Sequence, residues 1–182
     1  MKRLLLILLV STSAGAQPQP DAPNGLLLVA KPSVLDPNFR ETVVLVTQAS
    51  DASTVGVILN RPTPRKHEAT GEMLHFGGPV MREVLVALFR SEHAPQAAAF
   101  HILKGVYLSM HPQNIEALLA KREPRYRLYA GFAGWAPGQL QSELSRDDWY
   151  TLAPTAELLF RTDTRGMWEE LVSKARARVT MR

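Results

Sequence analysis

GLLLVAKPSVLDPNFRETVVLVTQASDASTVGVIL, residues 25–59, contains three short apolar, β-branched runs, at 25–30 (GLLLVA), 42–47 (TVVLVT) and 54–59 (TVGVIL). Each is too short for a helix, and turn-rich segments separate them, so they read as largely buried strands. The first linker holds Pro32 and Pro37, a spacing that neither a helix nor a central strand tolerates well.

Downstream, a polar stretch from Thr63 to Glu72 leads into HFGGPV (75–80), read as a backbone-permissive turn. Two more strands are expected at 84–89 and 99–103, and Lys104-Gly105 predicts a tight hairpin into 106–109. A helix should begin near Pro112, with Ile115, Leu118 and Leu119 as its apolar stripe, and end at Pro124. Tyr126 to Phe132 alternates like a strand, and a short helix through Leu140 and Leu144 follows it. After an apolar run at 158–160, a last helix is capped by Asp163 or Thr164, with Met167, Trp168, Leu171, Val172 and Ala175 recurring at helical spacing. Strands clustered with helices inserted late predict an α+β fold rather than a regularly alternating parallel sheet.

With 46% hydrophobic and 21% charged residues in 182, the chain has an ordinary globular balance, and its length favours one domain. That domain is expected over 25–182. Upstream, Lys2-Arg3, the apolar run Leu4–Val10 and Ala14-Gly15-Ala16 match the three regions of a secretory signal peptide, expected over 1–16. The apolar run falls short of the roughly 20 residues that a membrane span needs. Residues 17–24 read as a Pro-rich disordered leader. The expected location is therefore outside the cytoplasm, in the periplasm. A misassigned start codon would make the chain cytosolic instead.

The chain has no cysteine, so disulfides, thiol catalysis and lipid attachment through an N-terminal cysteine are all excluded. Removing Lys2 and Arg3 leaves 19 basic against 17 acidic residues, a net charge of +2. The dense basic stretch Lys121–Arg127 and the tail with Lys174, Arg176, Arg178 and Arg182 read as solvated faces rather than nucleic-acid footprints.

Reactive motifs are scarce. The sequence has no G-x-S-x-G elbow and no S-x-x-K, and Ser109 near His111 has no third group to complete a triad. The five histidines (67, 75, 93, 101 and 111) form no local metal clip, so no metal and no cofactor are expected. The Gly-rich segment 131–138 lacks the Gly-Lys-Ser/Thr ending of a phosphate-binding loop. It is nonetheless unusual. YAGFAGWAPGQL (129–140) runs a strand through Gly131 and Gly134 into Trp135, Pro137 and Gly138, then into a helix with Gln139 and Glu143. Its glycines permit close approach of backbone or ligand. The helix start beyond Pro137 offers N–H groups to an anion. The alternative is a structural strand-to-helix corner with Trp135 in the core.

These residues resemble the AlgH/YqgE family of bacterial proteins. The matching features run in order from Gly25–Ala30 and Pro32 through Asp36-Pro37, Phe39, Val43–Leu45 and Gly56 to Leu59-Asn60-Arg61-Pro62 and Gly77-Gly78-Pro79-Val80. They continue with Tyr129–Leu140, Glu143, Trp149, Leu158–Phe160 and Trp168. Residues 131–140 resemble the family signature G-Y-A-G-W-G-P-G-Q-L, with Phe132 and Ala136 replacing Tyr and Gly. The resemblance implies one α+β domain on a mixed, mostly antiparallel sheet with flanking helices. It brings a transcriptional-regulator label and no catalytic residues. The export signal departs from the family pattern, and an exported protein cannot act by touching DNA. The segment between Pro62 and Gly77 is also short.

The leading expectation is a non-catalytic exported binding or accessory domain whose partner is a protein or a small anionic ligand. Its candidate binding residues are Asn60, Arg61, Gly77, Gly78, Tyr129, Gly131, Trp135, Gly138, Gln139 and Glu143. One alternative is a hydrolase with Glu143 as general base and Asn60, Arg61 or Gln139 orienting substrate. The other is nucleic-acid binding through Arg125 and Arg127, the less expected partner.

Overall fold

In β1 (Leu26–Ala30), β2 (Val43–Gln48) and β3 (Thr54–Ile58) side chains alternate between two faces, and both faces are covered. Leu27, Val29, Val43, Leu45 and Val57 pack against Met167, Leu171, Val172 and Ala175 of the last helix. Leu28, Ala30, Val44, Val46 and Ile58 pack on the other side against Trp135, Trp149, Leu140 and Leu144. Burial on both sides explains why these runs are apolar at nearly every position. The computed structural model describes residues 22–68, 70–121 and 126–180. The predicted signal peptide, most of the leader, Pro124 and Arg125 lie outside the described residues.

The remaining strands are β4 (Pro62–Lys66), β5 (Met73–Phe76), β6 (Val80–Arg90), β7 (Phe100–Leu103), β8 (Val106–Ser109), β9 (Tyr126–Trp135) and β10 (Trp149–Leu152). The helices are α1 (Pro112–Lys121), α2 (Gln139–Ser145), α3 (Ala156–Leu159) and α4 (Met167–Thr180). The sheet runs β10-β1-β2-β3-β9-β6-β8-β7, with β4 paired to β5. Strand β9 is its spine. One edge pairs antiparallel with β6, while the other is divided between β5, parallel along Leu128–Ala130, and β3, antiparallel along Ala133–Trp135. The fold is α+β, with a mostly antiparallel sheet and flanking helices. Backbone N–H groups of Asn24 and Gly25 donate to the carbonyls of His101 and Ile102 at 3.1 and 3.0 Å, joining the entry to β1 with the far strand β7.

The strands expected at 25–30, 42–47, 54–59, 99–103 and 106–109 are present within a residue or two, as are the helices from Pro112, through Leu140 and after Asp163. Several regions differ from the sequence reading: β6 begins at Val80 rather than 84, β9 continues past Phe132 to Trp135, and β10 and α3 had no counterpart in it. The polar stretch 63–72 contains β4, and HFGGPV is not one turn: His75 and Phe76 belong to β5, and only Gly77–Pro79 turn. Strand β4 carries Pro62 and Pro64, which an edge strand accepts because its outer N–H positions need no partner. Strand β5 has four residues, of which only Leu74 is fully buried, too short for a periodic signal.

Candidate functional site

The corner between β9 and α2 is closed by its own hydrogen bonds. Trp135 and Trp149 donate their indole N–H groups to the same oxygen of Glu143, Oε2, at 2.9 and 3.0 Å. Gln139 Nε2 donates to the other oxygen at 3.1 Å, and Gln139 Oε1 accepts from the Ala136 N–H at 3.1 Å. Phe39 packs over both indoles, with ring centroids 5.7 and 5.9 Å away. Gly138 starts α2 at φ 78°, a left-handed position that suits glycine. Hydrogen bonds to a charged group contribute about 1.5–3 kcal/mol each, so Glu143 acts here as a brace between β9, α2 and β10.

Asn60 and Arg61 secure the loop that carries Phe39. Asn60 Oδ1 accepts from the Val43 N–H at 2.8 Å and its Nδ2 donates to the Glu41 carbonyl at 2.9 Å. Arg61 donates from one nitrogen to the carbonyls of Pro37 and Arg40, both at 3.1 Å. Both side chains also border a polar cleft of about 330 Å³ beside the start of α4.

Gly77, Gly78 and Gly131 meet where β9 passes from β5 to β3. The Gly77 N–H donates to the Ala130 carbonyl at 3.0 Å, and its own carbonyl accepts from Ile58 at 2.9 Å. Gly131 has φ 72°, and a Cβ there would lie 2.7 Å from the Gly78 oxygen. A Cβ on Gly77 would overlap the Gly131 carbonyl. These glycines let backbone cross backbone.

Tyr129 belongs to a different neighbourhood. It pairs in register with His75 on β5, and Arg127 pairs with Leu88 on β6. The two-residue repeat of a strand therefore places Met73 and His75, Arg127 and Tyr129, and Leu88 and Arg90 on one face of three adjacent strands. Over this face lies a cleft of about 630 Å³, bordered by His75, Arg90, Arg127, Met73 and Leu128 from the strands and by Ala156, Glu157 and Phe160 from α3 and its end.

The cleft is rich in unused donors. Arg127 is only 8% exposed. One of its terminal nitrogens, Nη2, donates to the Arg161 carbonyl, while buried Nη1 has no partner among the described residues. Arg90 Nε is likewise buried without a hydrogen-bond partner there, whereas the Tyr129 hydroxyl interacts with Arg127 and the His75 ring with the backbone of Leu128 and Met73. Arg90 stacks on Phe160, its guanidinium carbon 5.2 Å from the ring centroid. Neither arginine forms an ion pair with a carboxylate among the described residues. Burial, reinforced by neighbouring Arg127, lowers the His75 pKa below the usual imidazole range. Burial pushes the Tyr129 hydroxyl up to about 12 despite the opposing pull of Arg127. Glu72 and Glu157 stand exposed at the rim.

At Arg127 the reading of a solvated face is corrected, because the strand period points it inward beside Tyr129; residues 122–125 lie outside the described residues. That signal lay in the alternation of Tyr126–Phe132. Arg90 and Phe160 carried no comparable mark. The predicted residues thus divide. Gln139, Glu143 and Trp135 form one bonded cluster, Asn60 and Arg61 support it through the Phe39 loop, and Tyr129 lies under the arginine cleft. Among the described residues no three His, Asp or Glu side chains are grouped to hold a metal ion.

A model of the AlgH-like family matches residues 27–180. The chain belongs to the AlgH-like family. Among AlgH-like relatives, the UPF0301 protein of Anaeromyxobacter sp. (strain K) is 33% identical over 177 residues, covering 85% of this chain and 90% of that one. The UPF0301 protein of Thermobifida fusca (strain YX) is 30% identical over 169 residues, covering 82% and 85%. The solution structure of the AlgH protein from Pseudomonas aeruginosa superposes with a TM-score of 0.68 at 27% identity, covering 90% of this chain and 92% of that one. The crystal structure of protein DIP2367 from Corynebacterium diphtheriae shares the fold, with a TM-score of 0.68 at 22% identity over 86% and 88% of the two chains. The AlgH-like match spans the Glu143 brace, the glycine crossing and the arginine cleft together.

Proposed function

We propose that this AlgH-like protein is a non-catalytic binding domain that acts outside the cytoplasm. The observation that carries the binding reading is a pair of guanidinium groups bordering one cleft, with Arg90 Nε and Arg127 Nη1 buried and lacking a close hydrogen-bond partner among the described residues. Buried polar groups normally find partners within the fold, and groups that do not are a common feature of ligand sites. The brace supports the non-catalytic half. The Glu143 oxygens accept from three N–H groups of Trp135, Trp149 and Gln139, bonds that a general base would have to loosen to take up a substrate proton. The location rests on the leader pattern at residues 1–16.

The test uses the chain without residues 1–16, screened by melting temperature against small metabolites and assayed for turnover of every compound that shifts it. Stabilisation without turnover is the expected result. Turnover abolished by Glu143→Gln would establish the hydrolase instead. Amino-terminal sequencing of protein from the native host tests location, and an intact Met1 in the cytosolic fraction would overturn it.

A further inference from the structure

We propose that the cleft over β5, β9 and β6 binds a small oxyanion, a carboxylate or a phosphate, through the guanidinium groups of Arg127 and Arg90. The inference rests on the binding reading above and gives its ligand a chemistry. Three adjacent strands aim two cationic side chains and an imidazole at one volume, and the inner cation, Arg127, is more than nine-tenths buried. A buried cation without a counterion is costly, and a fold that keeps one gains when an anion fills the gap. The Arg127 guanidinium is tied at Nη2 to the Arg161 carbonyl, which fixes its plane and leaves Nη1 directed elsewhere. Arg90 is braced differently, its flat face on Phe160 and its Nε unused. Two oriented guanidinium groups match the paired oxygens of a carboxylate or phosphate better than two flexible ammonium groups would.

The rest of the lining limits the ligand. At about 630 Å³ the cleft suits a small molecule rather than a polymer. Met73 and Phe160 offer apolar wall beside the cations, room for a short hydrocarbon stem. Glu72 and Glu157 at the mouth repel a second negative charge projecting outward, so the ligand carries its charge at one end. A nucleic-acid backbone, charged along its length, fits this arrangement poorly.

Isothermal titration of the mature chain with inorganic phosphate and, separately, with butyrate tests the proposal at constant chloride. Saturable binding of at least one anion is expected, and which one binds distinguishes a phosphate from a carboxylate ligand. Arg90→Gln, at a half-buried position, should weaken that binding at least tenfold, and Arg127→Gln should abolish it. Should Arg127→Gln fail to fold, Arg90→Gln together with His75→Gln, expected to weaken binding severalfold, decides the matter. Absence of saturable binding to either anion overturns the proposal, as does equal affinity of wild type and Arg90→Gln. If metabolites still stabilise the protein while both anions fail, the oxyanion site falls and the wider binding reading stands.

Discussion

Trp135 and Trp149 lie edge to face, ring centroids 6.4 Å apart, and send both indole N–H groups to one oxygen of Glu143. The two indoles are 3% and 6% exposed, so neither N–H has bulk water to fall back on. Replacing Glu143 by Ala leaves two buried donors unmet, at about 1–3 kcal/mol each. Urea unfolding should show a loss of about 2–6 kcal/mol with a red-shifted tryptophan emission. Glu143→Gln keeps an acceptor oxygen and should cost less than half as much. Equal stability of wild type and the Ala variant would remove the brace from the account.

Gly131→Ala tests the backbone crossing. The left-handed φ of 72° and the close Gly78 and Val80 carbonyls both oppose a side chain there. A non-glycine residue in such a conformation costs about 1–3 kcal/mol before any overlap is counted. Thermal unfolding should reveal at least that loss, and a melting temperature within a degree of wild type would contradict the geometry.

His75 gives the fold a dependence on acidity. Burial and Arg127 lower its folded pKa, so below about 6.5 the unfolded chain takes up a proton that the folded chain resists. Stability from this group is complete above the unfolded value and declines as pH falls through the window beneath it. Chemical unfolding at pH 7 and pH 5.5 should show the decline in wild type and a flatter profile in His75→Gln. Identical profiles would show that His75 is not buried as described.

Tyr129 should titrate far from its solution value. With its hydroxyl pushed up to about 12, ultraviolet difference spectra of the folded protein should show one tyrosine that ionises well after the others. Its disappearance in Tyr129→Phe would assign the signal. Ionisation of every tyrosine near 10 would contradict the burial.

Much of the fold was legible because burial on both faces leaves a plain mark. Val43–Val46 could scarcely be anything but an inner strand. Strands β4 and β5 were not, because the stretch from Thr63 to Glu72 is polar and four residues give no period. The corner residues Trp135, Gln139 and Glu143 stood out by type and order, but sequence could not show that they satisfy one another. The cleft was the least legible part. Arg127 sits in a basic stretch that looked solvated, and its inward aim depends on β9 being covered on both faces. Arg90 and Phe160 come from distant parts of the chain and meet only through the pairing of β6 with β9 and the placement of α3.

The sharpest division is between a corner that holds the protein together and a cleft proposed to hold a ligand. Two-dimensional NMR of the chain without residues 1–16 during titration with phosphate or butyrate addresses it directly. Shifts are predicted at the His75 imidazole and the Arg90 and Arg127 guanidinium signals, with the indole N–H resonances of Trp135 and Trp149 unmoved. Moving indole signals with the three cleft side chains unchanged would contradict the account.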